Sequence, residues 1–209
     1  MSRLRPVRPY RESLMFAVLA VAIGVGAVVG LARGGRVTNL AGVRLSALGL
    51  LIAGTVGQAL ILDRVVVLHG WGAVAVLLLS YAALAAFAVA NLGLGGMGVI
   101  LAGIALNAVP IAVNAGMPVE ARAIVQARIA RASELPLLDF GAKRHLAGSG
   151  DHLRFLDDRF PDWITHHVLS LGDLVIAVGV GAVVAGLLQP GAKRSRARRP
   201  PPSGLTAST

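Results

Sequence analysis

Residues 65–113, VVVLHGWGAVAVLLLSYAALAAFAVANLGLGGMGVILAGIALNAVPIAV, contain no aspartate, glutamate, lysine or arginine. A helix crossing a hydrocarbon core about 30 Å thick needs about 20 apolar residues, so this run is too long for one crossing and suits two. It is broken at Asn91-Leu92-Gly93-Leu94-Gly95-Gly96, a glycine-rich turn signal. The spacing predicts helices over residues 66–91 and 96–113. Upstream, residues 45–62 form a third apolar segment between Arg44 and Asp63-Arg64, and residues 13–32 a fourth between Arg11 and Arg33. Downstream, residues 167–188 form a fifth, ended by Gln189-Pro190-Gly191. The expected fold is all-α, a polytopic membrane bundle of about five transmembrane helices with one extramembrane loop over residues 114–166. Residues 1–12 read as a basic N-terminal extension. Residues 189–209 read as a basic, disordered tail that cannot build a core.

Composition agrees with lipid as the solvent. The chain is 56% hydrophobic and only 14% charged, against about 25% charged in soluble domains, and its mean hydropathy is +0.74. The net charge is +10, but the arginines flank apolar segments, a placement that suits anionic headgroups. Headgroups at the tails and first loop are therefore the expected electrostatic partners, and nucleic acid is not. There are no cysteines, which excludes disulfides and thiolate chemistry. The first apolar stretch exceeds the 7–15 residues usual in a cleaved signal peptide, so it reads as a retained helix.

Orientation is contested by the charges. Five crossings put the termini on opposite faces, so the basic N-terminus, first loop and tail cannot share one side. An internal similarity offers a solution: Ile23-Gly24-Val25-Gly26-Ala27-Val28-Val29 echoes Val178-Gly179-Val180-Gly181-Ala182-Val183-Val184. The first and last helices are then expected to run the same way, with the 114–166 loop outside. Gly24, Gly26 and Gly30 miss the spacing of a dinucleotide fingerprint. Gly26 with Gly30, and Gly181 with Ala185, instead make small-xxx-small surfaces for close helix packing.

Five polar positions within or beside the apolar segments are the candidate functional residues: Gln58, Asn107, Pro110, Asn114 and Asp173. Asn107, Pro110 and Asn114 share one helical face, and Pro110 frees the carbonyl of Leu106. Such a stripe either lines a substrate path or glues helices together. Asp173 reads as a carboxylate about two turns inside the last helix, and intramembrane carboxylates raise a functional hypothesis by default. Within the loop, residues 118–134 look helical, with Val125, Ile129 and Ala132 on one face, suiting either a membrane-surface helix or a solvated one. His145, His152, His166 and His167 lie near Asp151, Asp157 and Asp158 without metalloenzyme spacing. No nucleophile–base arrangement can be defended, so no catalytic, cofactor or metal residues are assigned and an enzyme is not expected.

Several stretches together resemble a bacterial membrane-protein family catalogued as domain of unknown function 5317. They are Arg33-Gly34-Gly35-Arg36 with Asn39-Leu40, Gln58, the run Leu106-Asn107-Ala108-Val109-Pro110-Ile111-Ala112-Val113-Asn114-Ala115-Gly116-Met117-Pro118-Val119, and Leu169-Ser170-Leu171-Gly172-Asp173. The arginine-rich N-terminus departs from that pattern, as does Ala115, which stands where a second glycine is expected. The resemblance implies a multi-pass membrane protein of unassigned activity, with no catalytic residues to carry over. The leading expectation is a non-enzymatic multi-pass protein of the plasma membrane acting through a membrane-protein partner or as a homo-oligomer. The alternative is a small transporter or channel whose path uses Asn107, Pro110, Asn114 and Asp173.

Overall fold

The computed structural model describes residues 8–9, 15–62, 71–141 and 143–190. Most of the 1–12 extension, the α2–α3 connection and the 191–209 tail lie outside the described residues. The chain is mostly helical. Five longer helices are α1 (Met15–Ala32), α2 (Leu48–Leu62), α3 (Trp71–Ala90), α4 (Met97–Asn114) and α6 (Leu171–Leu187), and α5 (Ala121–Gln126) is a short helix before α6. By length and composition, α3 and α4 could each cross a membrane, while α2, α6 and the apolar part of α1 are shorter.

Helix limits differ from the sequence expectation for local reasons. α2 begins at Leu48 rather than residue 45 because Ala47 adopts φ +55° and Ser46 is clamped. The Asn91 side chain accepts from Ser46 N and donates to Ser46 O, both at 2.9 Å. α4 runs between left-handed caps at Gly96 and Ala115. α6 begins at Leu171, not residue 167, because His167–Leu169 is a strand paired with Phe160–Asp162.

α2 packs on α3, α3 on α4, α4 on α6, and α6 on α1. Glycine makes the closest approaches. A Cβ on Gly103 would meet Gly172 O at 2.7 Å, and one on Gly96 would meet Gly179 O at 2.6 Å, so α4 and α6 run antiparallel. A Cβ on Gly26 would strike Gly181 O, and one on Gly30 would lie 3.1 Å from Ala185 Cα. α1 and α6 therefore run parallel, and the partners in contact are the equivalent positions of the internal repeat. Small residues permit this approach because no side chain separates the backbones. At the exit of α1, Leu188 O accepts from Arg36 N and from Asn39 Nδ2, both at 2.8 Å.

Between α4 and α6 the chain folds into a cap rather than an open loop. β2 (Met117–Val119) pairs in parallel with β4 (Arg144–Leu146), and β5 (Phe160–Asp162) with β6 (His167–Leu169) is antiparallel. Two shorter strands, β1 (Arg8–Pro9) and β3 (Leu138–Asp139), pair in parallel, placing the N-terminal strand on the cap side. The helix expected over 118–134 is reduced to α5. β2 occupies its start, Arg128 at φ +59° ends it, and a 3-10 turn follows at Ala132–Leu137. Its buried face is Ala123, Ile124 and Ala127 rather than Val125, packed with Val119 and Val168 in a small core. Outside the cap, large apolar side chains remain exposed around the helices, among them Val21, Val28, Ile52, Leu79 and Val178.

Candidate functional site

Asn107 and Asp173 converge where α4 crosses the start of α6. The shared partner is Ser170, which is fully buried. Its hydroxyl donates to Asn107 Oδ1 at 2.6 Å and accepts from Asp173 N at 2.9 Å. Asp173 returns a bond by accepting from Ser170 N at 3.0 Å through Oδ2, while its Oδ1 accepts from Asn107 Nδ2 at 2.7 Å. Ser170 and Asp173 thus form a capping box that satisfies two N-terminal backbone donors of α6. Asp173 sits in the first turn, where a carboxylate also complements the helix dipole. It does not lie two turns inside the helix, because the preceding residues were diverted into β6. Gly172 completes the junction: a Cβ there would overlap the Asn107 side chain.

The other sequence candidates do not join this junction. Pro110 lies one turn beyond Asn107 and is fully buried, followed by Ile111. Asn114 is at the exposed end of α4 and fastens the cap, accepting from His152 N at 2.8 Å and donating to His152 O at 2.9 Å. Gln58 is buried in α2, whose principal neighbour is α3. Among the described residues no hydrogen bond links it to Asn107, Ser170 or Asp173.

Sequence reasoning missed a second polar group beneath the cap. Arg144 Nε donates to Asp158 Oδ2 at 2.6 Å, with both side chains buried. Asp158 Oδ1 and both carboxylate oxygens of Asp157 are buried without a hydrogen-bond partner among the described residues. Burial raises the Asp157 carboxyl to about 6, with Asp151 and Glu120 adding to the rise and Arg154 and Arg159 opposing it. Burial also raises Asp158 to about 6 against the pull of Arg144 and Lys143, with Asp173 assisting the rise. Nothing in the run Leu156-Asp157-Asp158-Arg159 announces burial, since adjacent acids ordinarily mark a solvated turn. Ser170-x-x-Asp173, in contrast, is a capping-box spacing that could have placed the helix start.

The histidines disperse. His145 pairs with Asp151 at 2.9 Å, His166 Nδ1 lies 2.9 Å from Ala127 O, and His167 is buried in β6. Among the described residues, no three histidine or acidic side chains are grouped to hold a metal ion.

These features define a mostly helical protein with two helices able to span a membrane and a folded cap between its fourth and last long helices. Residues 38–185 match the family of unknown function DUF5317. That match covers most of the chain, so the protein belongs to this family. No match is found among curated proteins or among solved structures.

Proposed function

We propose that this is a five-span protein of the cell membrane that acts without catalysis, by binding a membrane partner, with its cap on the outer face. The observation that carries the reading is the closed junction of Asn107, Ser170 and Asp173. Each polar atom that could have lined a path there is engaged by another, and Ser170 and Asn107 are buried. Interhelical hydrogen bonds of this kind hold helices together in lipid. The exposed belt of valine, leucine and isoleucine supports lipid contact, since soluble monomers rarely expose apolar patches of more than a few hundred Å².

The basic segments flanking the helix ends away from the cap support the orientation. Among the described residues, all eight acidic side chains lie in the cap or at its junction with α6. The opposite face carries Arg33, Arg36 and Arg44, and α6 leads there into the Lys193–Arg199 sequence with no acid among them. Short basic segments next to helix ends favour the cytoplasm. α1 therefore begins on the cap face and α6 ends on the opposite one, with the Arg8–Pro9 strand on the cap side.

The test is reconstitution. Proteoliposomes holding the protein are expected to conduct ions and small solutes no faster than empty vesicles. A photo-crosslinker at Leu79 or Ile164 in native membranes should give one discrete adduct with a second membrane protein. Protein-dependent flux that falls in Asp173→Asn, with no adduct, would replace this reading with the transporter one.

A further inference from the structure

We propose that the groove between α1 and α6 binds one anionic phospholipid, its acyl chain lying along the helices and its phosphate at Arg33. The inference rests on the membrane reading above and adds a specific ligand. The groove encloses about 750 Å³. Its walls are aliphatic, with Val18, Val21 and Val25 from α1 facing Ala177, Val178 and Ala182 from α6. Charge enters only at the ends: Arg33 at one, Asp162 at the other.

The two ends are not equivalent. Asp162 is already committed to the β5–β6 turn, accepting from Ile164 N at 2.9 Å and from Thr165 Oγ1 at 2.6 Å. Its negative charge disfavours an anionic headgroup. Arg33 is exposed, and no acidic residue lies on its face between Arg33 and Arg44. A ligand suited to both features has a negative head and a long apolar tail. A zwitterionic head would bring an ammonium towards Arg33 and Arg36.

Length and packing favour lipid over another helix. Along α1 the lining runs from Ala17 to Arg33, about 24 Å at 1.5 Å per residue. That exceeds the roughly 15 Å of one leaflet's share of the hydrocarbon core, so a full acyl chain fits. The small residues that would admit a second helix closely, Gly26 and Gly30, are already engaged by Gly181 and Ala185. What remains outward is a groove walled by valine and alanine side chains.

Native mass spectrometry of the full chain, purified in mild detergent with equal phosphatidylglycerol and phosphatidylcholine, tests this. One retained phosphatidylglycerol per chain is expected, in clear preference to phosphatidylcholine. Arg33→Gln removes the head contact and should lower retention about fivefold, the effect of one basic side chain at an anionic surface. Val178→Trp fills the groove from an exposed position and should lower it comparably. Arg44→Gln, equally basic but outside the groove, should leave retention unchanged. No retained lipid, equal retention of both lipids, or equal loss in Arg44→Gln would overturn the proposal. So would a second copy of the chain bound in place of lipid. If the helices span the bilayer yet no lipid is retained, the site is wrong and the membrane reading stands.

Discussion

Replacing Ser170 by alanine isolates the junction that holds α4 to α6. The hydroxyl does two things: it caps α6 by accepting from Asp173 N, and it donates to Asn107 Oδ1. Loss of a serine cap costs about 1 kcal/mol. Asn107 Oδ1 is then left in a buried position without its donor, a further cost of about 1–2 kcal/mol. The sum is about 2–3 kcal/mol, and an average interhelical bond in lipid, about 0.6 kcal/mol, sets the lower bound for the second part. Reversible unfolding of the purified protein in mixed micelles measures the difference. Pairing Ser170→Ala with Asn107→Ala in a double-mutant cycle should give a coupling of about 0.5–1.5 kcal/mol. Destabilisation below about 0.5 kcal/mol, or zero coupling, would refute the role assigned to this junction.

Two further substitutions follow from strain and burial. Ala115 holds φ +55° at the end of α4, a left-handed conformation costing about 1 kcal/mol for a residue with a Cβ, so Ala115→Gly should stabilise by about that amount in the same assay. Unchanged or lowered stability in that variant would show that the left-handed backbone at residue 115 carries no such strain. The carboxyls of Asp157 and Asp158 are raised from 3.8 to about 6, so the folded state holds protons that the unfolded chain releases. Their contribution to stability is full below pH 3.8 and is lost as pH rises through about 6, at most about 3 kcal/mol per group. Asp157→Asn should therefore melt higher than the parent at pH 8 and level with it near pH 4. A lower melting point at pH 8 would mean the carboxylate has a partner.

The sequence was most legible where solvent dictates pattern. Uncharged apolar runs located five helices, and the glycine turn at residues 91–96 divided the longest correctly because a left-handed Gly96 starts α4. The small-residue spacings at Gly26 and Gly30 and at Gly181 and Ala185 marked close-packing surfaces and a shared helix direction, but not that the two surfaces meet each other. Asn107 and Asp173 were visible as polar residues in apolar surroundings, but their partnership depends on where α6 begins. That in turn depends on β6 pairing with β5, a non-local contact that apolar periodicity cannot report. The cap was illegible for the same reason: its strands are three residues or fewer, and their register is set by distant partners. Buried Arg144 and Asp158 carry the same letters as solvated loop residues.

In the proposed arrangement hydrocarbon surrounds the long helices and the cap lies on the outer face. The natural absence of cysteine allows single reporters to test this directly. Cysteines at Val25, Thr38 and Trp163 are each placed at exposed positions, and labelled with a membrane-impermeant maleimide. Intact cells should label only Trp163→Cys, opened membranes should add Thr38→Cys, and Val25→Cys should stay unlabelled until the bilayer is dissolved. Labelling of Val25→Cys in intact membranes, or of Thr38→Cys and Trp163→Cys from the same side, would contradict the account.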